Sequence, residues 1–381
     1  MTKRIGFIGY GLRSRTMLEA FRTVEADIAV AAVADPLCAK IREDVRDDRL
    51  FADAAFFEDG AQMLNETKLD GVFIGTRCSL HAPLAAMVLE RELPLFLEKP
   101  VCISQEQYFA LKKAAEGKLD RAVVSFPLRV TAIVREMKKI VDSGALGTVT
   151  MVQAVNNVPY GSVYYHSWYR DPRETGGLFL QKTTHDIDYI RYLIGQTPTR
   201  VFAHREKLYF KGSKPANLRC PDCPEYRTCC ESSYVVGKLR KEEVQGDQCC
   251  FAVDTGNEDL ATATFLCPSG VIISYNQNFI VKRSAARRGC RIVGTKGSAE
   301  FDFYSGKLRE DRYDTPQTVT HEFFPGKGGH FGGDEALALD YMNLLNGGKP
   351  DSSLADGLAS AACCLGATRA AEEDRLVDIL L

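Results

Sequence analysis

A lysine at the end of an apolar run is well placed for chemistry in this sequence. Residues 93–97 read Leu-Pro-Leu-Phe-Leu, and Glu98, Lys99 and Pro100 follow. An apolar strand with a charged tip suits the centre of a parallel sheet, and ligands bind outside the carboxyl ends of such strands. Pro100 cannot donate a ladder hydrogen bond and restricts Lys99 to extended conformations, so the strand ends there. An ordinary surface lysine is the alternative.

A glycine-rich turn near the start of the chain suits a phosphate. A strand at Arg4–Ile8 leads into Gly9-Tyr10-Gly11-Leu12-Arg13-Ser14, and a helical pattern follows. These are the first two glycines of a G-x-G-x-x-G fingerprint, with a small serine in the third position. The first glycine permits the tight turn, and the second lets the backbone approach a pyrophosphate at the helix N-terminus. An ordinary glycine turn is the alternative.

An acidic residue completes the dinucleotide pattern. Asp35 follows a second strand, Ile28–Ala34, about 20 residues beyond the glycines, where a carboxylate can bond ribose hydroxyls. A carboxylate there repels a 2′-phosphate, so NAD is favoured over NADP, although Arg13 would soften that preference. A helix N-cap at Asp35 is the alternative. The prediction for the cofactor site includes Gly9, Gly11, Leu12, Arg13, Asp35, Thr76, Arg77, His81, Glu98 and Lys99.

A polar stripe marks the second half of the chain. Residues 178–193 fit a helix on which Gln181, His185 and Asp188 fall at i, i+4 and i+7, so they share one face. Such a stripe on a half-buried helix is typical of an active-site wall, and a solvated face is the alternative.

Cysteines cluster in an insert at about residues 212–250. Cys220 and Cys223 form a Cys-x-x-Cys pair, Cys229 and Cys230 come six residues later, and Cys249-Cys250 follow. This spacing predicts a metal site, with zinc or an iron–sulfur cluster as occupant. A loop of free thiols is the alternative.

The elements that must position these residues predict an α/β protein. Strands and helices alternate up to a strand at Ala122–Phe126, with a helix at Phe56–Asn65, which indicates a doubly wound parallel sheet over residues 1–126. Residues 127–381 hold several alternating strands, which predict an α+β domain with a large, mostly antiparallel open sheet.

Composition excludes some classes of function. The 381 residues carry 48 Lys and Arg against 50 Asp and Glu, which gives no reason to expect nucleic acid or a membrane surface as partner. No apolar run reaches the length of a membrane span, and the N-terminus lacks a signal-peptide cleavage site, so we expect a cytoplasmic protein. The 13 cysteines are then expected as thiols or metal ligands.

Taken together, the motifs resemble the Gfo/Idh/MocA family of oxidoreductases. They follow in order along nearly the whole chain: Gly9-Tyr10-Gly11, Glu98-Lys99-Pro100, Asp142-Ser143-Gly144-Ala145-Leu146-Gly147, Gly176-Gly177 before His185-Asp186-Ile187-Asp188, and His330-Phe331-Gly332-Gly333-Asp334. The resemblance implies an N-terminal Rossmann domain and a C-terminal domain with a large open sheet. It also implies a homodimer or homotetramer, because that sheet forms subunit contacts in the family.

The resemblance implies that Lys99 lies beside the nicotinamide and that His185 is the acid/base partner. Hydride leaves a carbinol carbon while a base takes the hydroxyl proton. Lys99 would orient the hydroxyl and stabilise charge on its oxygen. Inositol-dehydrogenase-like members often carry Asp four residues before the histidine, and here that residue is Gln181. This departure places inositol as substrate in doubt.

An aromatic segment before Gly176 suits a sugar or polyol ring, which has apolar faces and polar edges. Packing at a domain interface is the alternative. The predicted substrate set is Arg129, Tyr160, His166, Trp168, Arg170 and Gln181.

Three functions remain open from the sequence. The first is an NAD(P)-dependent dehydrogenase acting on a sugar, sugar acid or cyclic polyol. The second is an NAD-dependent glycoside hydrolase that works by transient oxidation and elimination. The third is a non-catalytic nucleotide-binding regulator, against which the presence of Lys99 and His185 argues.

Overall fold

A computed structural model describes residues 1–324 and 329–381 of the chain. The chain forms two compact units. The first comprises Met1–Glu136, Phe324–Ala362 and Leu381, and the second comprises Met137–Phe323 and Cys363–Leu380. Each unit therefore draws on more than one stretch of chain. The division predicted after residue 126 stays a prediction.

Strands and helices are numbered along the chain. The strands are β1 (Lys3–Ile8), β2 (Ile28–Ala34), β3 (Ala55–Phe57), β4 (Gly71–Ile74), β5 (Leu95–Leu97), β6 (Ala122–Val124), β7 (Val149–Asn157), β8 (Arg200–Glu206), β9 (Leu260–Leu266), β10 (Ile272–Asn278), β11 (Arg287–Gly294), β12 (Gly297–Asp302), β13 (Lys307–Arg312), β14 (Thr318–Glu322) and β15 (Val377–Asp378). The helices are α1 (Leu12–Thr23), α2 (Cys38–Asp44), α3 (Gly60–Glu66), α4 (His81–Glu90), α5 (Gln105–Ala114), α6 (Ala132–Asp142), α7 (Gly161–Tyr164), α8 (Pro172–Thr175), α9 (Leu178–Gln181), α10 (Thr183–Ile194), α11 (Gly333–Leu345) and α12 (Leu354–Glu373).

The first unit contains a six-stranded sheet in the order β3-β2-β1-β4-β5-β6, and every neighbouring pair is parallel. The central strands are short, apolar and fully buried, as expected for a sheet covered on both faces. The predicted doubly wound sheet is confirmed. Because parallel strands share one carboxyl edge, the residues that follow β2, β1, β4 and β5 come together there.

A helix from the far end of the sequence completes the core of this unit. Leu337, Ala338 and Tyr341 on α11 belong to the same buried cluster as Phe21 on α1 and Phe96 on β5. The Tyr341 hydroxyl donates a hydrogen bond of 3.0 Å to the Val72 carbonyl on β4. Helix α11 is therefore an integral part of the first unit.

The second unit contains a nine-stranded sheet in the order β14-β13-β12-β11-β7-β10-β9-β8-β15. Only the β7–β10 pair is parallel among its described pairs. Strand β9 alternates between buried and exposed residues, the pattern of a sheet with one covered face. On that covered face, the ring of Tyr189 on α10 packs edge-on against Phe301 and Phe303. The predicted large, mostly antiparallel sheet is confirmed.

One predicted helix of the first unit differs from the observed elements. The segment predicted as one helix at Phe56–Asn65 begins as strand β3 and becomes helix only at Gly60, where Asp59 caps α3 by accepting from Gln62 N.

In the described residues, no helix combines the length and the apolar character needed to cross a membrane.

Candidate functional site

Gly9 closes the turn after β1 in a way that only glycine allows. Its φ is +79°, and an added Cβ would lie 2.7–2.9 Å from atoms of Gly75 and Thr76. Ser14, in the third position of the fingerprint, donates its hydroxyl to the Gly9 carbonyl at 2.7 Å. The serine therefore replaces the usual glycine with a hydrogen bond that braces the turn.

Gly11 has a different role. It is the N-cap of α1 with φ −78°, which any residue can adopt, and a Cβ there would meet no atom of the described chain within 4 Å. In the described structure, the first turn of α1 has neither an acidic residue nor a side-chain cap. A helix N-terminus left open in this way is a ready anion site, and the bare backbone at Gly11 would form its cradle.

Asp35 is tied to the glycine turn. One carboxylate oxygen accepts from Tyr10 N at 2.9 Å and the other from Leu37 N at 2.8 Å. The helix-cap alternative is not supported, because the N-cap of α2 is Leu37 and not Asp35. The ribose prediction is compatible with this geometry, because each carboxylate oxygen can accept a second hydrogen bond. Asp35 thus anchors the loop and still presents lone pairs at the strand end.

Lys99 lies at the tip of β5, half-buried, beside a buried histidine. His81 is 1% exposed; its Nδ1 lies 2.7 Å from the Pro100 carbonyl and its Nε2 lies 3.3 Å from the Thr76 carbonyl. Burial lowers the pKa of His81, and the nearby Lys99 charge contributes. His81, which the sequence predicts as a cofactor residue, therefore connects the loop that follows β4 to the loop that follows β5.

Arg13 is held by two carboxylates. Its Nε lies 2.6 Å from Glu98 Oε1, and its Nη2 lies 2.7 Å from Asp334 Oδ1 and 3.1 Å from Ser125 Oγ. Burial alone would lower the pKa of Arg13, but the charges of Glu98 and Asp334 raise it. The sequence alone predicts no role for Asp334, and the structure shows that it is an ion-pair partner of Arg13.

The groups at this edge fit a dinucleotide. Asp35, the glycine turn, Thr76 and Lys99 follow four adjacent strands in the order β2, β1, β4, β5. Three strand spacings separate the first from the last, about 14 Å. An acceptor for ribose, an open helix N-terminus for pyrophosphate and a cation at the far end are therefore arranged along one line.

In the second unit, the Gly176-Gly177 pair precedes a capped helix. Both glycines have positive φ, 73° and 87°. The buried carboxylate of Glu258 accepts from Leu178 N and Phe179 N at 2.9 Å each, which satisfies the open end of α9. Glu258 lies 80 residues further along the chain, so sequence periodicity gave no signal of it.

The polar stripe lies on two helices, not one, since α9 ends at Gln181 and α10 begins at Thr183. The predicted single helix at 178–193 is therefore wrong at Lys182. Gln181 and His185 are each 3% exposed and Asp188 is fully buried. The solvated-face alternative is excluded by this burial.

A buried charge network holds α10 on its sheet. Asp186 accepts from Arg288 Nε at 2.8 Å, Asn156 Nδ2 at 2.8 Å and the Tyr275 hydroxyl at 2.9 Å. Burial alone would lower the pKa of Arg288, but Asp186 raises it. The residue next to His185 is thereby fixed by strands β7, β10 and β11.

The predicted substrate residues divide into two groups. Tyr160 stacks under the Lys182 ammonium, with Nζ 4.1 Å from its ring centroid, and Trp168 stacks on Tyr169. Together with Gln181 they belong to the second unit.

The other three predicted residues are engaged elsewhere. Arg129, in the first unit, binds the Asp351 carbonyl and the Asp356 carboxylate at 2.9 Å each. Arg170 is ion-paired with Asp254 and donates to the Cys249 carbonyl. His166 is 1% exposed and faces the cysteine insert, where burial lowers its pKa to about 4.

The cysteine insert gathers thiols around one pocket. A β-bridge between Arg219 and Gln248 brings its two ends together, and the pocket is lined by Cys220, Cys223, Cys229, Cys249 and Cys250 with Glu231. Cys230 is exposed, with Sγ 3.6 Å from the Tyr209 hydroxyl.

The predicted zinc or iron–sulfur site is not supported by this arrangement. Among residues 1–324 and 329–381, no group of three or more His, Cys, Asp or Glu side chains could hold a metal ion. Burial raises the pKa of Cys220, Cys229 and Cys250.

Comparison with known proteins agrees with the fold. "Putative oxidoreductase YteT" of Bacillus subtilis is 25% identical over 387 residues, covering 89% of this chain and 88% of that protein. "Inositol 2-dehydrogenase 2" of Saccharopolyspora erythraea is 26% identical over 212 residues, covering 54% of this chain and 57% of that protein. A solved structure of levoglucosan dehydrogenase in complex with NADH and levoglucosan superposes over 100% of both chains with a TM-score of 0.78 and 19% identity.

Two family descriptions match two successive segments of the sequence. Residues 3–126 match the oxidoreductase family with an NAD-binding Rossmann fold, and residues 134–300 match the GFO/IDH/MocA C-terminal domain. Both matches agree with the open cofactor edge of the first unit and the large sheet of the second. The chain is an NAD-binding oxidoreductase that belongs to the GFO/IDH/MocA family.

Proposed function

We propose that this protein is an NAD-dependent dehydrogenase that oxidises a carbinol of a sugar, sugar acid or cyclic polyol. The observation that carries the proposal is the carboxyl edge of the first sheet. There the open N-terminus of α1, the Asp35 carboxylate and Lys99 follow strands β1, β2 and β5. Relatives described as inositol and levoglucosan dehydrogenases support the substrate class.

The chain's own residues would divide the work as follows. The backbone at Gly11 and the first turn of α1 hold the pyrophosphate, and Asp35 holds ribose hydroxyls. When bound, NAD supplies the hydride acceptor. Lys99 orients the substrate hydroxyl and stabilises negative charge on its oxygen.

The proton is assigned to His185. A histidine within reach of the hydroxyl takes its proton as the carbinol is oxidised, an effect generally worth about 10²–10⁴-fold in rate. Gln181 is an amide and cannot serve as base. It can hydrogen-bond a substrate hydroxyl, as Tyr160 and Trp168 can pack against a ring.

A substrate screen with matched variants tests the proposal. Purified protein is mixed with NAD and a panel of sugars, sugar acids and polyols, and NADH is followed by absorbance. Lys99→Ala should lower kcat by about 10²-fold or more while NAD affinity stays within about threefold. Lys113→Ala, at an exposed lysine of α5, is the control and should retain full activity.

Unchanged turnover in Lys99→Ala would refute the role of that lysine. Cleavage of a glycoside without added NAD, and without net NADH, would instead establish the hydrolytic alternative. Assembly as a homodimer or homotetramer and a cytoplasmic location stay predictions.

A further inference from the structure

One cationic side chain at the cofactor edge has contacts that cofactor binding does not explain. Arg13 is the second residue of α1, where a guanidinium would be expected to meet phosphate. Its side chain is 22% exposed, and two of its three nitrogens bind Glu98, Asp334 and Ser125. The third, Nη1, is buried with no hydrogen-bond partner among the described residues.

The two carboxylates that Arg13 joins are themselves buried. Glu98 is 6% exposed and Asp334 is 1% exposed. Uncompensated, both charges would lie next to the anion site at the start of α1 and would repel a pyrophosphate. A single arginine fork satisfies both at 2.6 and 2.7 Å, a geometry that a lysine cannot reproduce.

The segment that delivers Asp334 is strained. His330 and Phe331 have positive φ of 47° and 60°, although neither is glycine. An added Cβ at Gly333 would lie 2.1 Å from the Pro127 carbonyl oxygen, so this turn is pressed against the backbone that follows β6. Strain of this kind persists only where surrounding contacts enforce it, and it often accompanies function.

The Asp334 carboxyl group is also kept charged. Burial would raise the pKa of Asp334, but the hydrogen bond from His330 and the charge of Arg13 hold it well below its usual range. The contact with Arg13 is therefore an ion pair at neutral pH.

We propose that Arg13 is a positioning residue: by holding Glu98 to Asp334 and Ser125 it fixes the tip of β5, from which Lys99 projects. Glu98 is the peptide neighbour of Lys99, and its carboxylate is kept on Arg13. This inference rests on the proposed function, because that function gives Lys99 its catalytic role.

The test measures the Lys99 amine directly. Competitive acetylation with acetic anhydride at pH 8, quantified by peptide mass spectrometry, reports the reactivity of each lysine without turnover. In Arg13→Gln the Glu98 carboxylate loses its partner, and its uncompensated negative charge raises the pKa of the neighbouring Lys99 ammonium, so Lys99 should react at least about threefold more slowly. Arg13→Lys should fall between, and Arg15→Gln, at an exposed arginine on the same helix, should match the wild type.

Kinetics supply the second readout. In Arg13→Lys, kcat should fall about tenfold while KM for NAD changes less than about threefold, because Arg13 acts through Lys99 and not on the cofactor. Unchanged Lys99 reactivity in Arg13→Gln would overturn the proposal. So would a raised KM for NAD with kcat retained, since that result assigns Arg13 to cofactor binding.

The two proposals fail separately. If the wild-type protein oxidises no sugar or polyol, the proposed dehydrogenase function fails, while acetylation of Lys99 still decides whether Arg13 positions it. Circular dichroism checks that each variant is folded, and the charge-retaining Arg13→Lys keeps the test valid if Arg13→Gln does not fold.

Discussion

Two glycines of one turn should respond in opposite ways to the same added methyl group. Gly9 has φ +79°, and its Cβ would lie 2.7–2.9 Å from atoms of Gly75 and Thr76, whereas Gly11 has φ −78° and open space. Gly9→Ala should therefore affect folding, and Gly11→Ala should affect cofactor binding.

The magnitudes follow from these contacts. A left-handed alanine costs about 1–2 kcal/mol, and forcing a methyl group into packed atoms costs about 1–3 more, so Gly9→Ala should lose about 2–5 kcal/mol of unfolding free energy. At Gly11, alanine is a poorer N-cap than glycine, which costs up to about 1 kcal/mol of stability. Alanine also lowers the conformational entropy of the unfolded chain, which stabilises the fold by about 0.4–1 kcal/mol. The stability of Gly11→Ala should thus stay within about 1 kcal/mol of the wild type.

The affinity for the cofactor is the property that Gly11→Ala should change. If pyrophosphate lies against the Gly11 backbone, the methyl group takes its place, and overpacking of about 1–3 kcal/mol corresponds to a rise in Kd for NAD of about 5- to 150-fold. Urea unfolding followed by circular dichroism gives the stabilities, and isothermal titration calorimetry gives Kd. Wild-type NAD affinity in a folded Gly11→Ala variant would show that the cofactor does not approach this backbone.

Two further outcomes are expected. Asp35→Ala should weaken the binding of both NAD and NADP, because the contact with Tyr10 is lost. The loss should be larger for NAD, because only NAD has a free 2′-hydroxyl for Asp35 to bond. Equal losses of affinity by calorimetry would count against the ribose contact. Burial raises the pKa of Asp340 on α11 from 3.8 to about 6, so the folded state resists its ionisation and stability is lost as pH rises through 6. Asp340→Asn should therefore raise the unfolding free energy by up to about 3 kcal/mol at pH 8 and not at pH 4; an equal gain at both would contradict this assignment.

The sequence predicted the parts of the fold that rest on local pattern. The strand at Ile28–Ala34 was predicted at its observed bounds, because a continuous apolar run in a parallel sheet is unambiguous. The single helix at 178–193 was wrong because the break at Lys182 leaves no periodic signal. The start of α3 was missed because β3, a three-residue strand, is shorter than the patterns that identify strands.

The candidate site shows the same limit. Gly9, Gly11, Asp35 and Lys99 could be placed because each follows a strand of one sheet. The partners of Arg13 and Asp186 could not, because those ion pairs join residues up to 321 positions apart in the chain. The insert's cysteines have ligand spacing, but spacing in the sequence does not determine whether the side chains are arranged to hold a metal ion, and in the described residues they are not.

The place of α11 bears on how the protein is made. Residues 1–126 contain every strand of the nucleotide-binding sheet, yet its core includes Leu337, Ala338 and Tyr341. During synthesis, more than 200 residues must leave the ribosome before that apolar surface can be covered, at about 5–20 residues per second. For tens of seconds the core of the nascent cofactor domain is therefore incomplete. A fragment ending at residue 126 would likewise leave Phe21 and Phe96 exposed to other molecules that bind apolar surface.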